Sequence, residues 1–286
     1  MKNIGKSIRD KLYNLSKKNN ISFQHLIIRY FHERLLYRIS VSKYSDKFFL
    51  KGGALLYTFS SGEMWRYTMD IDFSLHQMEY DQQKIVETFK DISAIQDEDG
   101  VQFNVDSISS RFIRENDIYG GIRIFIETQL DTIQQRLQVD VGFGDSIYPK
   151  PIRIYYPVIL NDVAIPSIYA YSLETVISEK FHAMIELSEM NSRMKDFYDV
   201  YHLLKAENLD QEILEEAIRV TFRQRNTFYQ ENHELFSTDF ASNKNRILAW
   251  DAFLKKINHK DSLTFPWVLN EITLVLKPIW ELIPRE

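Results

Sequence analysis

The chain has 286 residues, 44% of them hydrophobic and 26% charged, with a formal net charge of −5 at pH 7. This composition is typical of a globular protein that buries a large core, and it excludes binding of nucleic acid through net charge, so that any RNA contact needs a local basic patch. Because cysteine is absent, disulfides, thiol nucleophiles and cysteine-ligated zinc are excluded as well. No apolar run fits a signal peptide or a membrane helix, which predicts a cytoplasmic protein without a membrane partner.

The first half of the sequence predicts a mixture of helices and strands. Apolar residues at helical spacing predict helix from Ile4 to about Arg38, with charged residues filling the gaps between them. A short strand is predicted at 47–50, then Gly52-Gly53 and a helix at 54–59. Residues 67–75 alternate between apolar and polar, which predicts a strand with two unlike faces. One helix and four strands follow, at 81–95, 101–108, 111–116, 121–130 and 135–143.

The second half predicts helices alone. The segments with helical periodicity lie at roughly 172–190, 194–206, 210–230, 244–257 and 267–283. The change of pattern near residue 165 predicts an α+β protein with a mixed-sheet domain over 1–165 and an all-helical domain over 166–286.

Three aspartates on predicted strands are candidate metal ligands. Asp70 and Asp72 are two residues apart on one strand, so both carboxylates leave the same face about 7 Å apart. Such close anions repel each other unless a cation lies between them, and their hard oxygen atoms suit Mg²⁺. Asp140, on the polar face of a later strand, would complete a site for two ions. The alternative is that all three aspartates lie on solvent-exposed strand faces.

A glycine pair and its neighbours are candidates for phosphate binding. Gly52-Gly53 lies between a strand and a helix, where backbone N–H groups can approach phosphate oxygens closely, although the pair also fits an ordinary tight turn. Arg66 and Thr68 precede the aspartates, and the predicted alternation places both on the same strand face as Asp70. A guanidinium at position 66 would pair with a triphosphate or with the carboxylates.

The helical half offers a buried lysine and two more aspartates. Lys180 falls on the apolar stripe of its helix, where an ammonium needs an anion, and phosphate in a cleft would serve. Asp196 and Asp199 share one face of the next helix beside Arg193 and Lys195. These four residues would also fit an ordinary salt-bridged surface.

Taken in order, these motifs resemble those of a known family. The strings KGG-x-x-L, R-x-T-x-D-I-D-F, VDVGFGD, EKFHAM and R-x-K-D-F-Y-D, between Lys51 and Leu204, resemble the AbiEii/AbiGii nucleotidyltransferases, the toxin halves of bacterial abortive-infection and toxin–antitoxin pairs. The resemblance implies a polymerase-β-like fold. It makes Asp70, Asp72 and Asp140 the Mg²⁺ ligands and places Gly52, Gly53 and Lys180 at the NTP, where Lys51, Arg66, Thr68 and Asp199 are further candidate contacts. It matches Asp196 to the aspartate of the last motif, supported by Asp199.

The resemblance also implies a reaction. Members of the family are understood to transfer nucleotides to tRNA 3′ ends under the restraint of an antitoxin protein. The turn here is Gly-Gly where the wider superfamily has Gly-Ser. Two alternatives remain at this stage: a protein-AMPylating enzyme built on the same site, and a nucleotide-binding scaffold without turnover.

The remaining candidates receive no assigned role. Three histidines, His76, His182 and His202, lack metal-ligand spacing. Beyond residue 206, aromatic and basic side chains would either contact RNA or form helix core and solvated face. They are Arg219, Phe222, Arg223, Arg225, Phe228, Tyr229, Phe236 and Phe240.

Overall fold

The computed structural model describes residues 3–59, 66–113, 120–144, 147–188 and 193–285. The chain divides into two compact units. The first, here called the α/β unit, comprises Met1–Asp145 and Pro151–Tyr171, and the second, the helical unit, comprises Ser146–Lys150 and Ser172–Glu286. Within the described ranges, no helix has both the length and the apolar character needed to cross a membrane.

The α/β unit contains one mixed sheet of eight strands. In chain order the strands are β1 Phe48–Lys51, β2 Asp70–Leu75, β3 Val101–Phe103, β4 Ser109–Ile113, β5 Gly121–Leu130, β6 Ile133–Phe143, β7 Ile152–Tyr155 and β8 Ser167–Ala170. The spatial order is β3-β5-β6-β2-β1-β8-β7, and β4 pairs with another part of β5. The pairs β2–β6 and β1–β8 are parallel and the others antiparallel. With the helices given below, this confirms the α+β fold class.

The alternating sequence pattern gives the central strands one buried and one polar face. Ile71, Phe73, Val139 and Val141 have no exposed surface, whereas Asp70, Asp72 and Asp140 on the other face are half-buried. Burial of the apolar face fixes the register, since a slip of one residue would turn every side chain to the wrong side. The register therefore also fixes which polar residues stand next to one another.

Two strands are shorter than predicted. The strand predicted from residue 67 begins at Asp70, and Met69, predicted on its apolar face, is 53% exposed. The strand predicted at 101–108 ends at Phe103, because residues 105–107 form a 3-10 turn. Residues 114–116 of the strand predicted at 111–116 lie outside the described residues.

Four α-helices belong to the α/β unit. They are α1 Ile4–Asn19, α2 Phe23–Val41, α3 Gly52–Leu55 and α4 Gln82–Ser93. The N-terminal helical segment is broken after Asn19, since Asn20 adopts the left-handed conformation that commonly ends a helix. The Asp81 side chain accepts hydrogen bonds from the N–H groups of Gln83 and Lys84, which explains the start of α4.

The charged residues of α2 are buried, contrary to the expectation that they fill an exposed side. Arg38 pairs with Asp99, and both side chains are almost fully buried. The Ile159 N–H donates to the Glu33 carboxylate, and Arg34 donates to the Ala164 carbonyl. Segments distant in sequence thus cover this side of the helix and supply hydrogen-bond partners to its buried charged residues.

The helical unit contains α5 Leu173–Leu187, α6 Met194–Leu203, α7 Gln211–Gln224, α8 Thr238–Ser242, α9 Lys244–Lys256 and α10 Phe265–Trp280. Side chains of Ser172, Asp210 and Asn243 cap α5, α7 and α9. The five predicted helices are present. The short α8 was not predicted, α7 ends six residues before the predicted 230, and residues 189–190 lie outside the described part of the chain.

Candidate active site

Asp70, Asp72 and Asp140 come together on the polar face of the sheet. Parallel pairing of β2 with β6 sets Asp72 directly beside Asp140, and Asp70 lies one alternation earlier on β2. One carboxylate oxygen from each residue lies within 4.8 Å of the other two. The spacing of the first pair was predictable from the sequence. The approach of Asp140 depends on the register between the two strands.

The size and chemistry of this carboxylate triad fit a divalent cation. Two oxygens on opposite sides of one Mg²⁺ are about 4.2 Å apart, since each Mg–O bond is about 2.1 Å. A set of oxygens bounded by 4.8 Å is close to that dimension. The three carboxylates are half-buried, so water and substrate oxygens can complete the coordination.

A row of four charged residues crosses the sheet through the triad. Lys51 pairs in register with Asp72, Asp72 with Asp140, and Asp140 with Arg123. Directly paired residues project from the same face, so two cations flank two anions across four strands. Positive side chains on either side of the carboxylates reduce their mutual repulsion.

Arg123 is the site residue that the sequence analysis missed. Its Nε and Nη2 donate hydrogen bonds of 2.7 Å to the two oxygens of Asp140. The hydrogen bond to Asp140 raises the pKa of the guanidinium, and the charges of Asp70 and Asp72 raise it further. Arg123 lies opposite Asp140 only in the observed register of the β5–β6 hairpin. Aligning the apolar positions of the two strands with each other would have indicated this register.

The glycine pair makes room for the aspartates. Gly52 has φ +67°, a conformation that L side chains rarely adopt, and a Cβ there would overlap the Asp72 carboxylate. A Cβ on Gly53 would lie 2.7 Å from Thr68 Oγ1 and 3.4 Å from the Arg66 guanidinium. The Gly52-Gly53 turn therefore lies against the residues that the sequence analysis predicts to bind phosphate and metal.

Thr68 and Arg66 lie at this turn, although residues 66–69 precede the strand on which they were predicted. The Thr68 hydroxyl donates a hydrogen bond of 2.7 Å to Asp70 Oδ1. This contact orients one carboxylate of the triad. The α/β unit thus brings together Lys51, Gly52, Gly53, Arg66, Thr68, Asp70, Asp72 and Asp140.

Lys180, Asp196 and Asp199 form a separate cluster in the helical unit. The Lys180 ammonium lies 2.8 Å from a carboxylate oxygen of each aspartate, and Arg193 lies 3.0 Å from Asp196. The aspartate side chains are 2% and 0% exposed, so the interpretation of this group as a salt-bridged surface is wrong. The anions that the Lys180 ammonium needs on its apolar stripe are thus Asp196 and Asp199 of α6.

The three histidines pack against other side chains. Burial lowers the pKa of His182 to about 3, with the positive charge of Arg225 adding to the effect, and lowers the pKa of His202 to about 4. His76 stacks on Phe49 with ring centroids 4.4 Å apart. These contacts are typical of structural histidines.

The later aromatic and basic residues belong largely to helix packing. Phe222 and Phe240 are buried, and Arg219 pairs with Glu215 and Glu216 on its own helix. Phe228 is 41% exposed. The core interpretation therefore holds for the two buried rings, and the solvated-face interpretation for Arg219.

The sequence matches the family described as nucleotidyl transferase AbiEii toxin, type IV TA system, over residues 34–271. The chain belongs to this family. The AbiEii match spans both units and includes all the candidate residues above, so the chain is a nucleotidyltransferase of the toxin class. No curated protein matches the sequence closely.

Solved structures support the fold of this AbiEii-family protein. The crystal structure of JHP933 from Helicobacter pylori aligns with a TM-score of 0.52 and 15% identity, covering 91% of this chain and 93% of that one. Another crystal structure from H. pylori, described as that of a candidate nucleotidyltransferase, aligns with a TM-score of 0.51 and 16% identity, covering 91% of this chain and 96% of that one. At this identity the likeness shows a common fold.

Proposed function

We propose that this AbiEii-family enzyme transfers a nucleoside monophosphate from an NTP to the 3′ end of an RNA, tRNA foremost, using Mg²⁺. The proposal includes restraint by a cognate antitoxin protein, in keeping with the type IV toxin–antitoxin description of the family. The observation that carries it is the triad of carboxylate oxygens within 4.8 Å beside a glycine turn. Localisation in the cytoplasm, with the RNA pool, belongs to the same proposal.

The triad would hold the metal. Asp70 and Asp72 are the shared ligands, and Asp140 completes a second position. A divalent cation bound there neutralises charge on the phosphates and stabilises the charge that develops during transfer. Both oxygens of Asp140 accept hydrogen bonds from Arg123, and this ion pair holds the carboxylate beside Asp72.

The neighbouring residues would hold the NTP. The backbone N–H groups of Gly52 and Gly53, which pack against Asp72 and Thr68, would contact the phosphate oxygens. Lys51 and Arg66 supply positive charge on either side of the turn, and Thr68 keeps Asp70 oriented. In the transfer step, the acceptor oxygen forms a bond to the α-phosphorus, the bond to the bridging oxygen breaks, and pyrophosphate leaves while the hydroxyl proton passes to solvent.

Lys180, Asp196 and Asp199 enter the proposal through the sequence resemblance. That resemblance gives Lys180 a place at the NTP phosphates and gives the aspartates a supporting part. Their ion pairs hold the ammonium in a defined direction within the helical unit. We retain this assignment as a prediction that mutagenesis decides.

The proposed reaction is tested by incubating the protein with each α-labelled NTP, Mg²⁺ and total RNA, then separating RNA from protein on a denaturing gel. We expect label in small RNA, and none after periodate oxidation of the RNA 3′ ends, which removes the attacking hydroxyl. Asp72→Asn and omission of Mg²⁺ are the controls. Label that migrates with protein would support AMPylation instead, and NTP binding without any labelled product would support the scaffold.

A further inference from the structure

The polar face of the sheet continues away from the triad along β5. Arg123, Phe125, Glu127 and Gln129 occupy alternate positions of this strand, and all project from the face that carries Asp140. Successive members of the series are about 7 Å apart. The series therefore forms a track that starts at the triad and ends about 20 Å away.

Two arginines from the flanking strands lie on the second member of this track. The guanidinium of Arg111, on β4, lies 5.2 Å from the ring centre of Phe125, and that of Arg136, on β6, lies 4.2 Å from it. Both arginines are exposed and Phe125 is half-buried. We call Arg111, Phe125 and Arg136 the arginine–phenylalanine platform. Glu127 lies 3.6 Å from Arg136 and keeps that side chain over the ring.

Beyond the platform the track enters a hollow in which four amide residues lie together with Phe103, Glu127 and Thr128. The hollow has a volume of about 530 Å³, and its lining includes the side chains of Gln102, Asn104, Gln129 and Gln134. Each of these amides offers donors and an acceptor, the same complement that the edges of nucleic-acid bases present. The hollow is thus suited to reading unpaired bases.

We propose that the arginine–phenylalanine platform and the amide hollow bind the unpaired strand of the acceptor RNA. This inference rests on the proposed function and names the surface that holds its substrate. Flat guanidinium and aromatic groups stack with bases and the arginines also pair with phosphates, which is how proteins hold single strands without strict sequence preference. A net charge of −5 makes such a local patch necessary for RNA binding.

A protein acceptor fits the same observations less well. An acidic peptide would pair with the arginines, but it would leave the stacking surface and the amide hollow without matching groups. The position of the track, which begins at the Arg123–Asp140 pair, suits a strand whose 3′ end lies at the carboxylates.

The test compares three single variants, Arg111→Ala, Phe125→Ala and Arg136→Ala, with wild type. Binding of a fluorescein-labelled single-stranded RNA of about 12 nucleotides is followed by anisotropy over a range of salt concentrations. We expect affinity to fall roughly fivefold to hundredfold for Phe125→Ala, and the salt slope to fall by about 0.7 for each arginine removed. In the transfer assay, KM for RNA should rise while KM for NTP and the melting temperature stay unchanged.

Arg153→Ala is the matched control. Arg153 makes the same kind of contact, 5.6 Å from the ring centre of Tyr169, on strands at the opposite edge of the sheet. It should bind RNA like wild type. Unchanged RNA affinity and salt slope in all three platform variants would overturn the inference, as would an equal loss in Arg153→Ala. If wild type labels no RNA, the proposed function fails, whereas the anisotropy measurement still decides the platform by itself.

Discussion

The two units hold their aspartates in opposite ways. In the α/β unit, Asp70, Asp72 and Asp140 are half-buried, and their oxygens gather within 4.8 Å on an open face. In the helical unit, Asp196 and Asp199 are almost fully buried, and a single ammonium lies 2.8 Å from both. The first cluster can recruit a cation from solution, whereas the second already contains its cation.

This difference predicts that the two clusters respond differently to substitution. Buried charges are tolerated only when the chain compensates them, and removing one partner leaves a strongly destabilising charge behind. Carboxylates that converge on an open face repel one another, so neutralising one of them relieves repulsion. Substitutions in the first cluster should therefore affect activity, and those in the second should affect stability.

The largest effect is expected from Asp70→Asn or Asp72→Asn. Loss of a metal-ligand charge removes several kcal/mol of transition-state stabilisation, so nucleotide transfer should fall by about a thousandfold or more. The melting temperature should stay the same or rise, because the like-charge repulsion is reduced. Rates come from the labelled-NTP assay and stability from thermal denaturation. A variant that transfers at the wild-type rate would rule out the triad as the metal site.

Lys180→Met should show the reverse pattern in the helical unit. It preserves the length of the side chain but leaves Asp196 and Asp199 buried without their shared ammonium, so the free energy of unfolding should fall by about 3 kcal/mol. Denaturant unfolding measures this. Lys205→Met, which removes a half-exposed lysine from the same unit, should cost little.

Adding Asp199→Asn to Lys180→Met should recover part of the lost stability, because a buried carboxylate charge that Lys180 no longer neutralises is removed. If the double variant regains stability but transfers no nucleotide at saturating NTP, Lys180 also serves the reaction, as the sequence resemblance implies. If the double variant transfers nucleotide at the wild-type rate, Lys180 has only a structural role.

Gly52→Ala should give a smaller loss. The positive φ costs an L residue about 1–2 kcal/mol, and the new methyl group displaces the Asp72 carboxylate. Both stability and transfer should therefore decline. Gly142→Ala is the control, since its Cβ would meet only ordinary contacts, with Lys51 Nζ at 3.6 Å. Equal behaviour of the two variants would show that the tight turn at Gly52 is not required.

The sequence predicted the parts of the site that depend on local spacing. Alternation placed Asp70 and Asp72 on one strand face, and the polar positions of QVDVGFGD placed Asp140 on another. The Asp140–Arg123 pair escaped prediction because it depends on hairpin register, which local pattern leaves open until two strands are aligned. The need for a residue without a Cβ at position 52 likewise depends on the β1–β2 pairing, which brings Asp72 next to Gly52.

The fold shows the same division between local and distant causes. Helical periodicity found most helices, because an amphipathic stripe is a local property. It predicted the helix that contains α2 but not the burial of its charged residues, of which Arg29, Glu33 and Arg34 contact residues 157–164. It also missed the five-residue α8, which is too short to show a period. Burial by a remote segment leaves no trace in the local pattern.

The smallest effect at neutral pH is expected from His182→Asn. This substitution tests the helical unit alone, because His182 lies in that unit. Burial holds the pKa of His182 at about 3, against 6.5 for the free side chain. Between these two pH values the histidine is protonated in the unfolded chain and neutral in the folded chain. Stability is therefore lost as the pH falls from 6.5 towards 3. At pH 5 the histidine should cost about 2 kcal/mol, and at pH 8 almost nothing.

Asparagine retains a polar group near Thr227, the hydrogen-bond partner of the histidine ring, but it does not titrate. The variant should thus unfold with a shallower loss of stability between pH 7 and 5 than wild type, measured as the free energy of unfolding in urea at each pH. The same pair compared at pH 8 reports the cost of repacking alone. Parallel pH curves for the two proteins would mean that His182 is protonated in the folded helical unit, which its burial beside Arg225 opposes.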